Sequence, residues 1–281
     1  MSRLRIVHRT GFSYEKPANA SYNEARMLPF NSAEQFVISA NLDIHPASAQ
    51  HSYVDYWGTM VSTFEVLTPH TELSVTATSV VEVRPALREA PDLSWNELNK
   101  LTDSSTHFVE FSTQTPLTEP PLEVVELAQK IVAEESSPAR AAMQISKAIH
   151  EAIEYKKGVT GVRTTATHAW ETKSGVCQDI AHITLGALRT VGIPARYVSG
   201  YLQSKPDAAL GETIVGESHA WVEWFTGDWF GYDPTNMLEI AERHVLIARG
   251  RDYRDVSPLR GVYAGAGANG VFVTVEITRE A

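Results

Sequence analysis

The runs Leu4-Arg-Ile-Val-His-Arg-Thr and Phe36-Val-Ile-Ser-Ala-Asn-Leu-Asp-Ile are rich in β-branched residues, and Leu73 to Arg84 alternates apolar with polar positions. Each predicts a strand. Tyr53 to Val66 predicts a hairpin that turns near Trp57-Gly58. Short polar turns and almost no helical periodicity make this first third an antiparallel β-sandwich in expectation. Between residues 85 and 121 the pattern dissolves, punctuated by Pro85, Pro91, Pro116, Pro120 and Pro121. A boundary in the later part of that stretch gives an N-terminal β domain over 1–117 and a second unit over 118–281.

The second unit opens with helical spacing. Val124, Leu127, Ala128 and Ile131 share one face, and a second helix carries Ala142, Ile145, Ala148, Ile149 and Ala152. Ser137 followed by Pro138 is a helix start, a capping residue and then proline at the first helical position. A third helix begins near Cys177, with Ile180, Thr184, Ala187, Leu188 and Val191 in one stripe, and Gly192 and Pro194 stop it. Ala195 to Leu202 predicts a strand. After a polar loop over 203–217 come His219-Ala-Trp-Val-Glu-Trp-Phe, a turn at Thr226-Gly-Asp, and Trp229-Phe-Gly-Tyr-Asp-Pro. One more strand, about 270–278, is free to pair with either sheet.

Length and composition allow a substantial core in one or two domains of ordinary globular type (281 residues). The N-terminus lacks the apolar core of a secretory signal, and no run approaches the roughly 18 apolar residues of a membrane helix. A cytoplasmic location with no membrane partner is the resulting expectation. A net charge of −10 with no Lys/Arg cluster argues against nucleic acid as a partner.

Composition matters most at cysteine. The chain has one, Cys177, so an intrachain disulfide and a thiolate zinc cluster are both excluded. A lone cysteine is ordinarily a small buried hydrophobe. Here the sulfur falls in the first turn of a helix, where unpaired N–H groups and the helix dipole favour a thiolate. His219 is the candidate proton partner, with Trp221 and Trp224 shaping a cleft. If the hairpin centres on Gly227, residue 219 lies opposite 235 and Asp233 is its diagonal neighbour on the same face. That is where a carboxylate would orient the imidazole. Asp179 and His182 do not share a helix face with Cys177, which argues against a metal site. Trp170, Tyr155 and Tyr201 are candidate cleft residues against a plain core reading, and Arg196 and Arg249 to Arg254 are solvated or structural ion-pair formers.

Several blocks together resemble the bacterial transglutaminase-like family. They are Gly175-Val-Cys-Gln-Asp-Ile-Ala-His, Gly192-Ile-Pro-Ala-Arg-Tyr-Val-Ser-Gly-Tyr, Ser218-His-Ala-Trp-Val-Glu and Tyr232-Asp-Pro-Thr-Asn. The tail from Ala248 to Gly261 and the front, with His8-Arg-Thr, Tyr14, Pro17, Asn23-Glu-Ala-Arg and Pro29, resemble it too. The resemblance implies an α+β protein, a β-sandwich followed by a papain-like core of helices on an antiparallel sheet. It implies Cys177 as nucleophile, His219 as base, Asp233 as its orienting group, and no metal or organic cofactor. His168 departs from the family, standing where an acidic residue is expected. The Cys177 N–H is the first candidate oxyanion donor, with Gln178 or Tyr155 as further ones.

The reaction implied is acyl transfer on an amide through a thioester, with a peptide or protein as substrate. Hydrolysis is the leading expectation. Protein-glutamine transamidation, transfer from a thioester donor, and a non-catalytic binding role with a vestigial triad are the rivals.

Overall fold

The computed structural model describes residues 1–84, 91–216, 218–265 and 267–281. Pro85, used above as a boundary marker, and Glu217, the end of the polar loop, lie outside them. Along the front of the chain run β1 (Ser2–Ala18), β2 (Ala20–Ala25), β3 (Gln35–His45), β4 (Gln50–Val54), β5 (Met60–Val66) and β6 (His70–Val83). Helices α1 (Trp95–Asp103), α2 (Val109–Ser112), α3 (Leu122–Glu134) and α4 (Pro138–Ala152) follow. Then come β7 (Glu154–Tyr155), α5 (Ala166–Thr172), β8 (Ser174–Gly175), α6 (Cys177–Thr190), β9 (Ala195–Leu202), β10 (Thr213–Gly216), β11 (His219–Phe225), β12 (Trp229–Asp233) and β13 (Leu238–Glu239). The chain closes with β14 (His244–Gly250), α7 (Tyr253–Val256), β15 (Leu259–Ala264) and β16 (Ala268–Arg279).

The protein is α+β with antiparallel main sheets. One sheet has the order β10-β16-β1-β6-β3, and a second, β15-β2-β5-β4, packs on it to make the sandwich. Their shared core holds Tyr14, Met27, Leu42, Phe64, Leu73 and Val75. Burying each of the larger side chains is worth about 1.5–3 kcal/mol relative to leaving it in water. A third sheet, β13-β12-β11-β9-β14, carries the helices of the second unit.

The first sheet belongs to both cores. Residues two apart along a strand share a face, so Leu4 and Ile6 of β1 look the same way as Tyr14. At that end, with Val81, Val83, Val275 and Ile277, they join the core that contains Ile180, Val222 and Trp224. His8 sits at the junction, buried, its Nδ1 at 2.9 Å from the Tyr201 hydroxyl. That hydroxyl donates to the Met27 carbonyl (3.1 Å).

The chain also crosses the line drawn at residue 118. β16 pairs with β1 from Leu4↔Arg279 to Ser13↔Gly270, and β15 pairs with β2. The last strand, left open between two sheets in the sequence reading, thus completes the first one, and β10 extends that sheet beyond it. In the other direction, α1 contributes Leu98 to the core of the second unit, and Phe111 of α2 meets the Trp229 ring edge-on at 5.4 Å.

The predicted helices are present, and local chemistry accounts for their ends. Ser137 Oγ accepts from the Arg140 N–H at the start of α4. Gly192, with φ of +81°, takes the left-handed turn that ends α6. Arg189, buried near that end, donates to the carbonyls of Phe111, Ala195 and Arg251 and to the Thr118 hydroxyl. This guanidinium locks the helix to its surroundings.

Candidate active site

Cys177 is the first residue of α6 and is half-buried. The helix start is fixed by Asp179, whose Oδ2 accepts from the Val176 N–H (2.8 Å) and the Thr160 hydroxyl (2.6 Å). Burial pushes this carboxyl up, against the lowering effect of those two donors. One side chain therefore sets both the entry of the helix and the loop that precedes α5.

The hairpin β11–β12 brings the other two groups in. Gly227 has φ of +116°, and the register runs from Phe225↔Trp229 to Val222↔Tyr232. Continued outward, that register sets 219 opposite 235, as the turn at Gly227 predicts. His219 Nε2 donates to Asp233 Oδ2 at 2.7 Å, with the two side chains 11% and 0% exposed. The Cys177 side chain is near enough to the His219 ring to act on its charge. With Nε2 on Asp233, Nδ1 is the nitrogen left for sulfur.

Electrostatics give each group a defined state. Burial alone would lower the His219 pKa, but the hydrogen bonds and charges of Asp233 and Cys177 raise it to about 10. At neutral pH the ring is a cation. Burial alone would raise Asp233; the hydrogen bond and charge of His219, the nearby His244 and the Asn236 amide hold it well below the usual carboxylate range. Its Oδ1 accepts the Thr235 and Asn236 N–H groups (3.0 and 3.2 Å), and its Oδ2 accepts Asn236 Nδ2 (2.8 Å).

The remaining candidates scatter. Trp221 is buried beside the pair, its ring centroid 6.4 Å from that of His219. Gln178 is buried next to the nucleophile and its amide donates to the Gly161 carbonyl (3.5 Å). Tyr155 is exposed on β7, paired with Gly175 just before the cysteine. Trp170 lies in the helical core, where its indole N–H donates to Glu123 (2.7 Å) and Lys173 covers its face. Tyr201 lies at the domain junction. His182 accepts the Tyr253 N–H at Nε2 (3.2 Å), and burial lowers its pKa to about 3, so it is a neutral acceptor on the site helix. His168 is exposed on α5, its N–H bonded to the Thr165 hydroxyl.

Two groups on Asp233 were not singled out from sequence. Asn236 had a signal, because Asp-Pro-Thr-Asn is a turn in which side chains bond back to the backbone. His244 had none, since β14 lies at the opposite edge of the sheet from β12 and β13. On the same face as His219 lies a cavity of about 930 Å³, lined among others by Trp221, Glu223, Trp229, His244 and, from the β domain, Gln35.

Residues 4–82 match the bacterial transglutaminase-like N-terminal region, and residues 125–234 match the transglutaminase-like superfamily. The chain belongs to the bacterial transglutaminase-like family. This transglutaminase-like chain is 43% identical over 281 residues to an uncharacterized protein of Mycobacterium leprae, covering 99% of each. A shorter stretch of 92 residues is 35% identical to a protein-glutamine gamma-glutamyltransferase of Pseudomonas aeruginosa, covering 31% of this chain and 14% of that one. Among solved structures, one described as that of a candidate cysteine protease from Cytophaga hutchinsonii shares the fold. Its TM-score is 0.79 at 20% identity, covering 100% of this chain and 92% of that one. Membership of the transglutaminase-like superfamily supports a cysteine-dependent acyl-transfer or protease-like role for the site.

Proposed function

We propose that the protein cleaves an amide bond of a peptide or protein through a thioester on Cys177. The observation that carries this reading is the hydrogen bond that joins His219 to the buried Asp233 carboxylate, with Cys177 near enough to favour the imidazolium. Sulfur attacks the carbonyl carbon, and the oxygen develops negative charge. The first-turn N–H groups of a helix have no intrahelical acceptor, so the Cys177 N–H is the nearest donor for that oxygen. As the C–N bond breaks, His219 gives its Nδ1 proton to the departing amine. Water then attacks the thioester, His219 takes the water proton, the C–S bond breaks and the acid leaves. Asp233 keeps the ring oriented throughout and remains ionised.

The same groups act before the acceptor is chosen, and the likeness to a protein-glutamine gamma-glutamyltransferase favours an amine acceptor as the second reading. The test begins with the thiol. Cys177 should react with iodoacetamide well below the free-thiol pKa of about 8.5, and His219→Ala should abolish that low-pH reactivity. A thiol that titrates like free cysteine in both proteins sinks the reading. Glutamine-containing peptides, with and without a primary amine, then separate hydrolysis from transamidation by product mass.

A further inference from the structure

His244 is a buried titratable group that the mechanism above does not use. It opens β14, paired with Leu202 of β9, and only 3% of it is exposed. Its Nδ1 accepts the Ala241 N–H at 3.3 Å, so the ring proton of the neutral form resides on Nε2. That Nε2 is buried, lies 3.6 Å from Asp233 Oδ2 and makes no hydrogen bond of ordinary length. The distance is long for a hydrogen bond, as contacts in substrate-free sites commonly are. Trp221 stands edge-on to the ring at 5.4 Å and keeps water from it. The charged groups that act on it are Asp233, His219 and Arg243; burial keeps it neutral beside them.

On the proposed acyl-transfer reading, we infer that His244 is a positioning residue for the Asp233–His219 pair. Its Nε2–H is a third side-chain donor on Asp233 Oδ2, and it limits how tightly the carboxylate holds the imidazolium proton. His219 must surrender its Nδ1 proton to the leaving amine, and a carboxylate deprived of this donor would stabilise the imidazolium too well for that release. A charged residue at 244 could not serve, because it would alter the charge of the pair. A neutral donor of fixed tautomer adjusts the pair and leaves its charge alone.

The test compares wild type with His244→Phe, which keeps the ring and loses the donor, and His244→Gln, whose amide nitrogen reaches the place of Nε2. His219 is titrated by NMR of ¹³C-labelled histidine, and its signal is identified by its loss in His219→Ala. The His219 midpoint should rise in His244→Phe by about half a unit or more and return in His244→Gln. Turnover on any amide substrate found should fall several-fold in the phenylalanine variant with KM unchanged. Should that variant fail to fold, His244→Asn, whose amide reaches only the place of Nδ1, replaces it with the same expectation. Equal midpoints in all folded variants overturn the inference. If instead the wild-type thiol alkylates like free cysteine, the acyl-transfer reading falls, and the midpoint comparison still decides the role of His244.

Discussion

Two buried carboxylates sit on one hairpin, Asp233 at its open end and Glu223 nearer the turn, and they show how partner chemistry divides function from anchorage. His219, Trp221 and Glu223 alternate along β11 and so share a face. Glu223 takes Arg249 Nε and Nη2 (2.8 and 3.0 Å) and Arg196, whose guanidinium lies 3.9 Å from the Trp229 ring centroid. Burial would raise Glu223, but the two arginines bring it down to about 2. Asp233 is depressed in the same way by His219, His244 and Asn236. The difference is that an arginine never releases its proton at working pH, whereas an imidazolium can. On the proposed reading one end of the hairpin moves a proton, and the other holds strands together.

The largest effect should come from removing charge at the proton-handling end. Asp233→Asn should lower turnover by about 10²- to 10⁴-fold, while Glu223→Gln leaves the turnover of folded protein within a few-fold. Equal losses in both, measured on matched folded samples, would erase the distinction. Stability should show the reverse. Glu223→Ala leaves two half-buried guanidinium groups without their carboxylate and should lower the unfolding free energy by up to about 3 kcal/mol in urea titration.

pH separates the ends by sign. His219 rises from 6.5 to about 10 on folding, so its stabilisation is complete below about 6.5 and fades as pH climbs through about 10. Glu223 falls from 4.5 to about 2, so its contribution is complete above about 4.5 and is lost as pH drops toward 2. Melting temperatures across pH should therefore lose their alkaline slope in His219→Ala and keep it in Glu223→Ala. The smallest change expected is Gly227→Ala. A Cβ there would lie 2.8 Å from Leu93 Cδ1 at φ of +116°, and the strain should cost about 1–3 kcal/mol.

The proton-handling end was legible in the sequence because its determinants are local. Gly227 sets the centre of the hairpin, the centre sets the diagonal of 219 and 233, and the helix start at Cys177 follows from the stripe after it. The anchoring end was legible only as ion-pair formers without partners, since Arg196 and Arg249 reach Glu223 from two other strands. Alternation says that β16 is a strand and is silent on which sheet takes it, which is why the tail could not be placed. His244 was invisible for the same reason. Trp170 drew attention as an aromatic near the site helix, yet its Glu123 partner lies on a separate helix.

The return of the tail to the first sheet has a consequence during synthesis. β1 is made before β6 and can pair with it early, but its other edge waits for β16, which follows every other described strand. Until then the nascent sandwich presents an open strand edge, and the apolar patch of Leu4 and Ile6 lacks the cover of the core they join. A chain that stops short of β16 would therefore carry a sticky edge and an incompletely covered core at once. Synthesis of β16 closes the edge and covers the patch, so the first sheet is whole only after that strand is made.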